Sequence, residues 1–231
     1  READDMKFYE IFNPNMSDYY SIGFVTEKRS GGRMFTNGTG VDGEIFEIQT
    51  RNFNTMRDKL SFFLQNHDVT IVYPVAHTKW LSWLDVETGE LSDKRKSPKT
   101  GTFYQIIPEL YRIKMFLQNP RLHFIISLID VEETRYLNGW SYDKKRGSSR
   151  MDGIPVDIYD EVRIDTMKDY HKFLPDTLPA RFTTKDYAKC AHIPQKYATT
   201  GLNVLLETKT VVRVGKMGNA YLYEKAAESE K

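Results

Sequence analysis

The spacing of hydrophobic residues in the first half of the chain changes between the period of a strand and that of a helix. Phe46 and Ile48 are two residues apart, as on one face of a strand. Apolar residues then recur at helical spacing over residues 56–64, and residues 69–75 are almost entirely apolar. A nearly continuous apolar strand is typical of the middle of an α/β sheet. The succession predicts a strand, helix and strand crossover unit.

The same patterns predict the elements on either side of this crossover unit. We expect a weak helix that ends before Pro14, a strand over residues 21–26 with a partner that begins at 34–36, and a hairpin arm over 78–89. A second helix is expected over 105–117, followed by a buried strand over 122–131. We expect the helix after the first strand to be capped by Asn54.

The pattern changes after residue 165 to short helices followed by a hairpin. Thr183 or Thr184 can cap a short helix, and Pro194 can occupy the first turn of a longer one. Two short strands, 211–214 and 220–223, flank a glycine-containing turn. Helix, turn, helix and hairpin is the plan of a winged helix.

We therefore predict an α/β (α+β) protein with a mixed sheet flanked by helices and a small C-terminal winged-helix domain. The predicted division is an α/β domain at 1–138, a flexible linker region at 139–165, rich in glycine, serine and charged residues, and a winged helix-turn-helix domain at 166–231.

The amino-acid composition indicates the cellular environment of the protein but does not identify a binding partner. The 231 residues include 33 basic and 32 acidic residues, for a net charge of +1. The single cysteine, Cys190, permits no intramolecular disulfide, and no apolar run is long enough to span a membrane, so we expect a cytoplasmic protein. Residues 181–225 hold eight basic and three acidic residues, a local excess that favours nucleic-acid binding there.

Candidate chemistry centres on Glu47 and Gln49, which share one face of the first strand of the crossover unit. Phe46 and Ile48 point to the other face, so we expect the carboxylate and the amide side by side on a rim of the sheet. Oxygen ligands so placed can hold Mg²⁺ or Mn²⁺ and position a water molecule. The alternative is that they are the polar face of an edge strand.

With the elements around it, this triplet makes residues 5–135 resemble the core of the PD-(D/E)XK nucleases, a restriction-endonuclease-like fold. Glu47-Ile48-Gln49 matches the family's E-x-K triplet with glutamine in place of lysine. The resemblance implies that Glu47 binds a metal, that Gln49 orients water or phosphate, and that Lys59 supplies the missing charge. Asp42 lies closer in sequence to Glu47 than the family's second acid lies to its triplet. Three alternatives therefore remain open: Asp42 supplies the second carboxylate, Glu10 supplies it, or the site is inactive.

The chain also resembles an uncharacterised bacterial family that combines such a core with a winged helix. The matching segments are Glu47 to Thr50, Val72-Tyr73-Pro74, Asp85 to Leu91 and Ser97 to Gly101. Their order is specific, although the nuclease label of that family rests on its fold.

These residues give two functional hypotheses. The first is a metal-dependent DNA endonuclease, and the second is a non-catalytic DNA-binding or regulatory protein built on a degenerate nuclease fold. Docking or homodimerisation through the winged helix is a further alternative. The expected nucleic-acid contacts are Gln195 and Lys196 at base edges, and Arg213, Lys216 and Lys99 at phosphates.

Overall fold

The computed structural model describes residues 43–137 and 149–227, together with the backbone of four short strands nearer the N-terminus. It is a mixed α+β fold in which helices flank a mixed sheet, as predicted. The N-terminal helix expected before Pro14 lies outside the described residues. The strands are β1 (Tyr20–Ser21), β2 (Glu27–Arg29), β3 (Gly32–Met34), β4 (Gly38–Gly40), β5 (Ile45–Ile48), β6 (Val69–Leu84), β7 (Arg95–Lys96), β8 (Leu122–Tyr136), β9 (Arg150–Ile164), β10 (Arg181–Phe182), β11 (Val211–Met217) and β12 (Ala220–Lys225).

The large sheet has the strand order β1-β4-β5-β6-β8-β9, with β7 paired to β6. β5 and β6 are parallel, with Ile45 opposite Val69, and a helix connects them, which confirms the predicted crossover unit. β4 pairs with β5 in the antiparallel sense, so the sheet is mixed. Backbone hydrogen bonds join like ends of β6 and β8, from Val69 to Arg121 and from Leu137 to Leu84, as in parallel strands.

Four α-helices lie within the described residues, and short 3₁₀ turns extend several of them. They are α1 (Arg57–Phe63), α2 (Ile107–Arg112), α3 (Thr184–Cys190) and α4 (Gln195–Glu207). The 3₁₀ turns are Phe53–Met56, Phe103–Ile106, Lys114–Phe116 and Met167–Phe173. The cap expected at Asn54 is wrong, because the chain turns at Asn52, whose φ is 61°, and Asn54 lies inside the 3₁₀ turn.

Two strands are longer than the apolar runs that predicted them. β6 continues through the expected hairpin arm to Leu84 and pairs there with β7, so that Trp80 lies opposite Lys96. β8 continues to Tyr136, beyond the last fully apolar stretch. Residues 150–164, which the sequence analysis placed in a linker, form β9 beside β8. Hydrogen bonds to neighbouring strands stabilise these polar strand ends. The hydropathy of one segment cannot predict them, because they depend on which strands pair.

The described residues form two compact units, and neither is continuous in sequence. One contains residues 74–103, 126–137 and 149–162, and the other contains 43–73, 104–125 and 163–227. β5, α1 and the C-terminal helices therefore belong to the same unit. These units are groups of residues that pack together and need not fold separately, so the proposed domain boundaries remain a prediction.

The C-terminal residues follow the predicted order of elements. Thr183 caps α3 through a capping box with Asp186, and Pro194 directly precedes α4. β11 and β12 form a hairpin whose turn includes Gly218 at a φ of 60°, and β10 pairs with β12 on the other side. α4 packs closely on α2, since a Cβ at Gly201 would lie 3.1 Å from the side chain of Ile107.

No helix among the described residues is long and apolar enough to cross a membrane.

The first unit buries a carboxylate between two cations. Glu133 on β8 is only 3% exposed. It accepts hydrogen bonds from Lys79 Nζ at 2.9 Å and from Arg135 Nε at 2.7 Å. Burial alone would raise the pKa of Glu133, but the hydrogen bonds and charges of Lys79 and Arg135 outweigh it and hold the pKa below its usual value.

We expect Glu133→Gln to lower the free energy of unfolding at pH 7 by about 2 kcal/mol, because it leaves two partly buried cations without their carboxylate. The lowered pKa stabilises the wild type above the pKa of the unfolded carboxyl, and this stabilisation is lost as the pH falls through the folded-state pKa. The variant should therefore lose less stability between pH 7 and pH 3. Urea unfolding at both pH values measures this difference.

The matched control is Glu132→Gln, because Glu132 pairs with Lys94 at the surface. It should change the unfolding free energy by less than about 0.5 kcal/mol. An equal effect of the two substitutions would contradict the assignment of Glu133 to a buried ion pair.

Candidate functional site

Glu47 lies on β5 and is buried, at 7% exposure. The expected position on a rim of the sheet is therefore wrong for Glu47, whose carboxylate is buried and pairs with a side chain of α1. Lys59 of α1 donates a hydrogen bond from Nζ to Glu47 Oε1 at 2.8 Å. The Lys59 side chain is 25% exposed, so its ammonium group links the buried carboxylate to the surface.

Gln49 continues β5 and is half-buried, and its contacts are with the backbone. Its N–H donates to Val72 O at 3.0 Å, and its Nε2 donates to Arg51 O at 2.5 Å. The side-chain amide therefore stabilises the turn that leads from β5 to α1. The structure brings Glu47 and Lys59 together as an ion pair, and it gives Gln49 a separate contact with this turn.

The turn after Gln49 is held by Glu109, a residue that the sequence analysis missed. Glu109 lies on α2 and is 8% exposed. Its Oε2 accepts the N–H of Phe53 at 2.9 Å, and its Oε1 accepts Arg112 Nη1 at 2.8 Å. The only sequence signal for Glu109 was Arg112, three residues later on the same predicted helix. This spacing gave no indication of the contact with Phe53, which is 56 residues away in sequence.

Aromatic side chains pack around this turn and stabilise the end of β5. Phe53 contacts the ring of Tyr73 edge to face, with centroids 5.6 Å apart. Tyr73 donates a hydrogen bond to Gln105 O at 3.4 Å. Burial and the neighbouring charge of Glu109 raise the pKa of Tyr73 to about 12, so its hydroxyl stays protonated at neutral pH.

The other two expected metal ligands, Asp42 and Glu10, lie outside the described residues. Within the described part of the chain, no three histidine, cysteine, aspartate or glutamate side chains lie close enough to hold a metal ion. Of the three expected metal ligands, the described residues include Glu47 alone.

The C-terminal hairpin has an exposed cluster of cations and tyrosine, which we call the cationic hairpin face: Arg213, Lys216 and Tyr221. The Arg213 guanidinium lies 4.5 Å from the centroid of the Tyr221 ring, and Lys216 Nζ lies 5.2 Å from it. All three side chains are exposed. The ring therefore holds two positive charges on one surface of the hairpin.

Gln195 and Lys196 are exposed in the first turn of α4, in the same compact unit as the cationic hairpin face. The neighbouring Thr199 is also exposed, and its hydroxyl donates to Gln195 O at 3.0 Å. Lys99 belongs to the other unit, where it is exposed and its N–H donates to Ser97 Oγ at 3.3 Å. The expected nucleic-acid contacts thus divide into four residues of one unit and Lys99 of the other.

Comparison with known proteins gives a family but no activity. The family described as a domain of unknown function, DUF8091, matches residues 27–165, more than half of the chain. An uncharacterized protein of Treponema pallidum (strain Nichols) is 35% identical over 109 residues, which are 47% of this chain and 41% of that protein. The chain thus spans less than half of the length of this relative. No solved structure matches the chain.

We expect Lys59→Met to lower the free energy of unfolding by about 2 kcal/mol, because it removes the ammonium group from a buried carboxylate. Glu47→Gln in the same protein should recover part of this loss, with a coupling energy of at least about 1 kcal/mol. Urea unfolding of the wild type, both single variants and the double variant gives this energy. Additive effects of the two substitutions would contradict a direct ion pair.

Proposed function

This chain belongs to the DUF8091 family, and we propose that it binds DNA through a C-terminal winged helix. The observation that carries the proposal is that the cationic hairpin face and the exposed first turn of α4 belong to one compact unit. The DNA-binding activity, like the cytoplasmic location, is proposed for this chain alone, because the family and the Treponema relative have no assigned function.

The order of the C-terminal elements supports a winged helix. A 3₁₀ helix, strand β10, helices α3 and α4, and the hairpin β11–β12 follow one another, and the sheet has the order β10-β12-β11. In helix-turn-helix proteins the second helix enters the major groove with its N-terminal residues at base edges. In this chain that position is the first turn of α4, which presents Gln195 and Lys196.

The charge of this region supports a polyanionic partner. Residues 181–225 have eight basic and three acidic residues, whereas the whole chain has a net charge of only +1. Arg181, one of the eight, forms an ion pair with Glu224. Arg213 and Lys216 instead lie against an aromatic ring, which leaves their positive charge available to phosphates.

We expect Arg213→Gln and Lys216→Gln each to weaken duplex DNA binding at all sequences and to reduce the salt dependence. Each lost phosphate contact should lower the slope of log K against log salt by about 0.9. Lys196→Gln should weaken binding and also reduce sequence preference if it contacts base edges. Fluorescence anisotropy of a labelled duplex between 50 and 300 mM salt measures both quantities.

The charge-matched control is Lys172→Gln, because Lys172 is held by Asp169 at 2.7 Å and by Arg163 O at 2.7 Å. It should leave the slope unchanged. DNA binding that does not depend on salt, or variants of the hairpin that bind like the control, would refute the proposed interface.

Metal-dependent phosphodiester hydrolysis on a restriction-endonuclease-like core is the second candidate function. The observation that favours it is the approach of Lys59 to Glu47, an acid on a strand next to a lysine from the following helix. By the resemblance to PD-(D/E)XK nucleases, Lys59 takes the role of the lysine in the E-x-K triplet, where this chain has Gln49. A cation at this position can stabilise negative charge that develops on a phosphate.

Whether this site can hold Mg²⁺ depends on residues beyond Glu47. Among the described residues no group of three possible metal ligands lies there, and the Glu47 carboxylate already accepts a hydrogen bond from Lys59. Mg²⁺ requires near-octahedral oxygen ligands, commonly one or two carboxylates with water and substrate phosphates. Asp42 or Glu10 would have to provide the second carboxylate. When bound, the ion would supply a water of lowered pKa for hydrolysis.

We expect cleavage of plasmid DNA in the presence of Mg²⁺ or Mn²⁺ if this second function is correct, and Glu47→Gln should reduce the rate at least about 100-fold. Glu44→Gln is the matched control, because Glu44 accepts a hydrogen bond from Thr70 and is not among the proposed ligands. Cleavage is followed on agarose gels with supercoiled, linear and single-stranded substrates. Equal rates for the wild type and Glu47→Gln, or no cleavage of any substrate, would exclude catalysis at Glu47.

A further inference from the structure

A cleft of about 400 Å³ lies at the C-terminal end of α4, and the proposed function does not use it. The 3₁₀ turn Met167–Phe173, the residues after α4 and the residues after β12 form its walls. Its volume is within the range of sites for small molecules. Its polar lining residues are Gln118, Lys168, His171, Thr208, Lys209 and Thr210.

The charge of this cleft is one-sided. Its lining residues include Lys168, Lys209 and His171, and both lysines are exposed. The described residues that line it include no aspartate or glutamate. In contrast, the neighbouring Lys172 is held by Asp169 and lies outside the lining. A concave surface whose described lining residues include cations and no carboxylate favours an anionic ligand.

Lys209 has a backbone conformation that glycine normally provides. Its φ is +56°, directly after the end of α4, where a left-handed residue closes the helix. Its N–H donates to Leu206 O, and the N–H of Thr210 donates to Leu205 O at 2.8 Å, as in a Schellman motif. A side chain at this position strains the backbone, and the two hydrogen bonds of the Schellman motif hold it there.

Other groups already occupy the last carbonyls of α4. Thr208 N donates to Val204 O, and the Leu205 and Leu206 carbonyls accept the two N–H groups of the Schellman motif. Gln118 Nε2 donates to Glu207 O at 2.7 Å. These carbonyls therefore need no lysine ammonium group as a cap, and the exposed side chains of Lys168 and Lys209 line the cleft.

The remaining walls indicate the size and character of such a ligand. Thr208 and Thr210 line the cleft but are buried, and their hydroxyl groups form a hydrogen bond with each other at 2.8 Å. Met167 and Ala226 add apolar surface. Cations beside an apolar wall suit a phosphate on a small organic group better than a bare inorganic ion.

We propose that this cleft binds a terminal phosphate monoester, from either a free nucleotide or the 5′ end of a DNA strand. Lys168 and Lys209 pair with the phosphate oxygens, and the apolar wall contacts the sugar or base. This site does not depend on the cationic hairpin face, and its occupancy adds recognition of a terminal phosphate to the proposed binding of DNA.

The test is calorimetric titration of the full chain with dTMP and with thymidine. We expect dTMP to bind and thymidine not to bind. Lys209→Gly should weaken dTMP binding about tenfold or more through loss of a charge-assisted contact. The same substitution relieves the left-handed strain, so its thermal midpoint should be equal to or higher than that of the wild type.

Lys185→Gln, on α3 and outside the cleft, is the charge-matched control and should bind dTMP like the wild type. Arg213→Gln should also keep dTMP binding, which separates this site from the hairpin. Equal binding of dTMP and thymidine, no binding of either, or unchanged binding by Lys209→Gly would overturn the proposal.

Two duplexes that differ only in a 5′ phosphate identify the source of the ligand. If the phosphorylated duplex binds more tightly and Lys209→Gly removes the difference, the ligand is a DNA end. If dTMP binds but the two duplexes bind equally, the ligand is a free nucleotide. Both results support a phosphate monoester site.

Discussion

Buried carboxylates that must be paired determine much of this structure. Glu47, Glu109 and Glu133 are each less than 10% exposed, and a carboxylate at such a position is tolerated only with hydrogen bonds and opposite charge. Each therefore holds a partner from elsewhere in the chain. Lys59 of α1 pairs with Glu47, the Phe53 backbone donates to Glu109, and Lys79 of β6 pairs with Glu133.

These pairings explain how the end of β5 acquires a defined geometry. Glu109 holds the N–H of Phe53, while Gln49 donates to Arg51 O within the turn that precedes it. α1 then begins in a position from which Lys59 reaches Glu47. The same ion pair is compatible with a purely structural role and with a nuclease-like site, because a lysine that satisfies a buried acid is also a cation close to a potential metal ligand.

The C-terminal part places its cations in two different environments. Arg213 and Lys216 lie against an exposed tyrosine ring on a hairpin, which suits contact with an extended polyanion. Lys168 and Lys209 line a cleft, which suits a compact anion. A protein that binds both along a DNA backbone and at a terminal phosphate would combine these two surfaces.

Hydrophobic spacing by itself determined the crossover unit, the apolar part of β6 and β8, and the order of the C-terminal helices and hairpin, because local periodicity sets which face of each element can be buried. Capping residues likewise limited the start of α3 to Thr183 or Thr184, and the structure has the cap at Thr183. Only the tertiary structure decided the full length of β6 and β9, the burial of Glu47 and the role of Glu109. Strand pairing and contacts between residues far apart in sequence govern those features. The sequence of an acid-x-glutamine triplet is the same whether its side chains are buried or exposed.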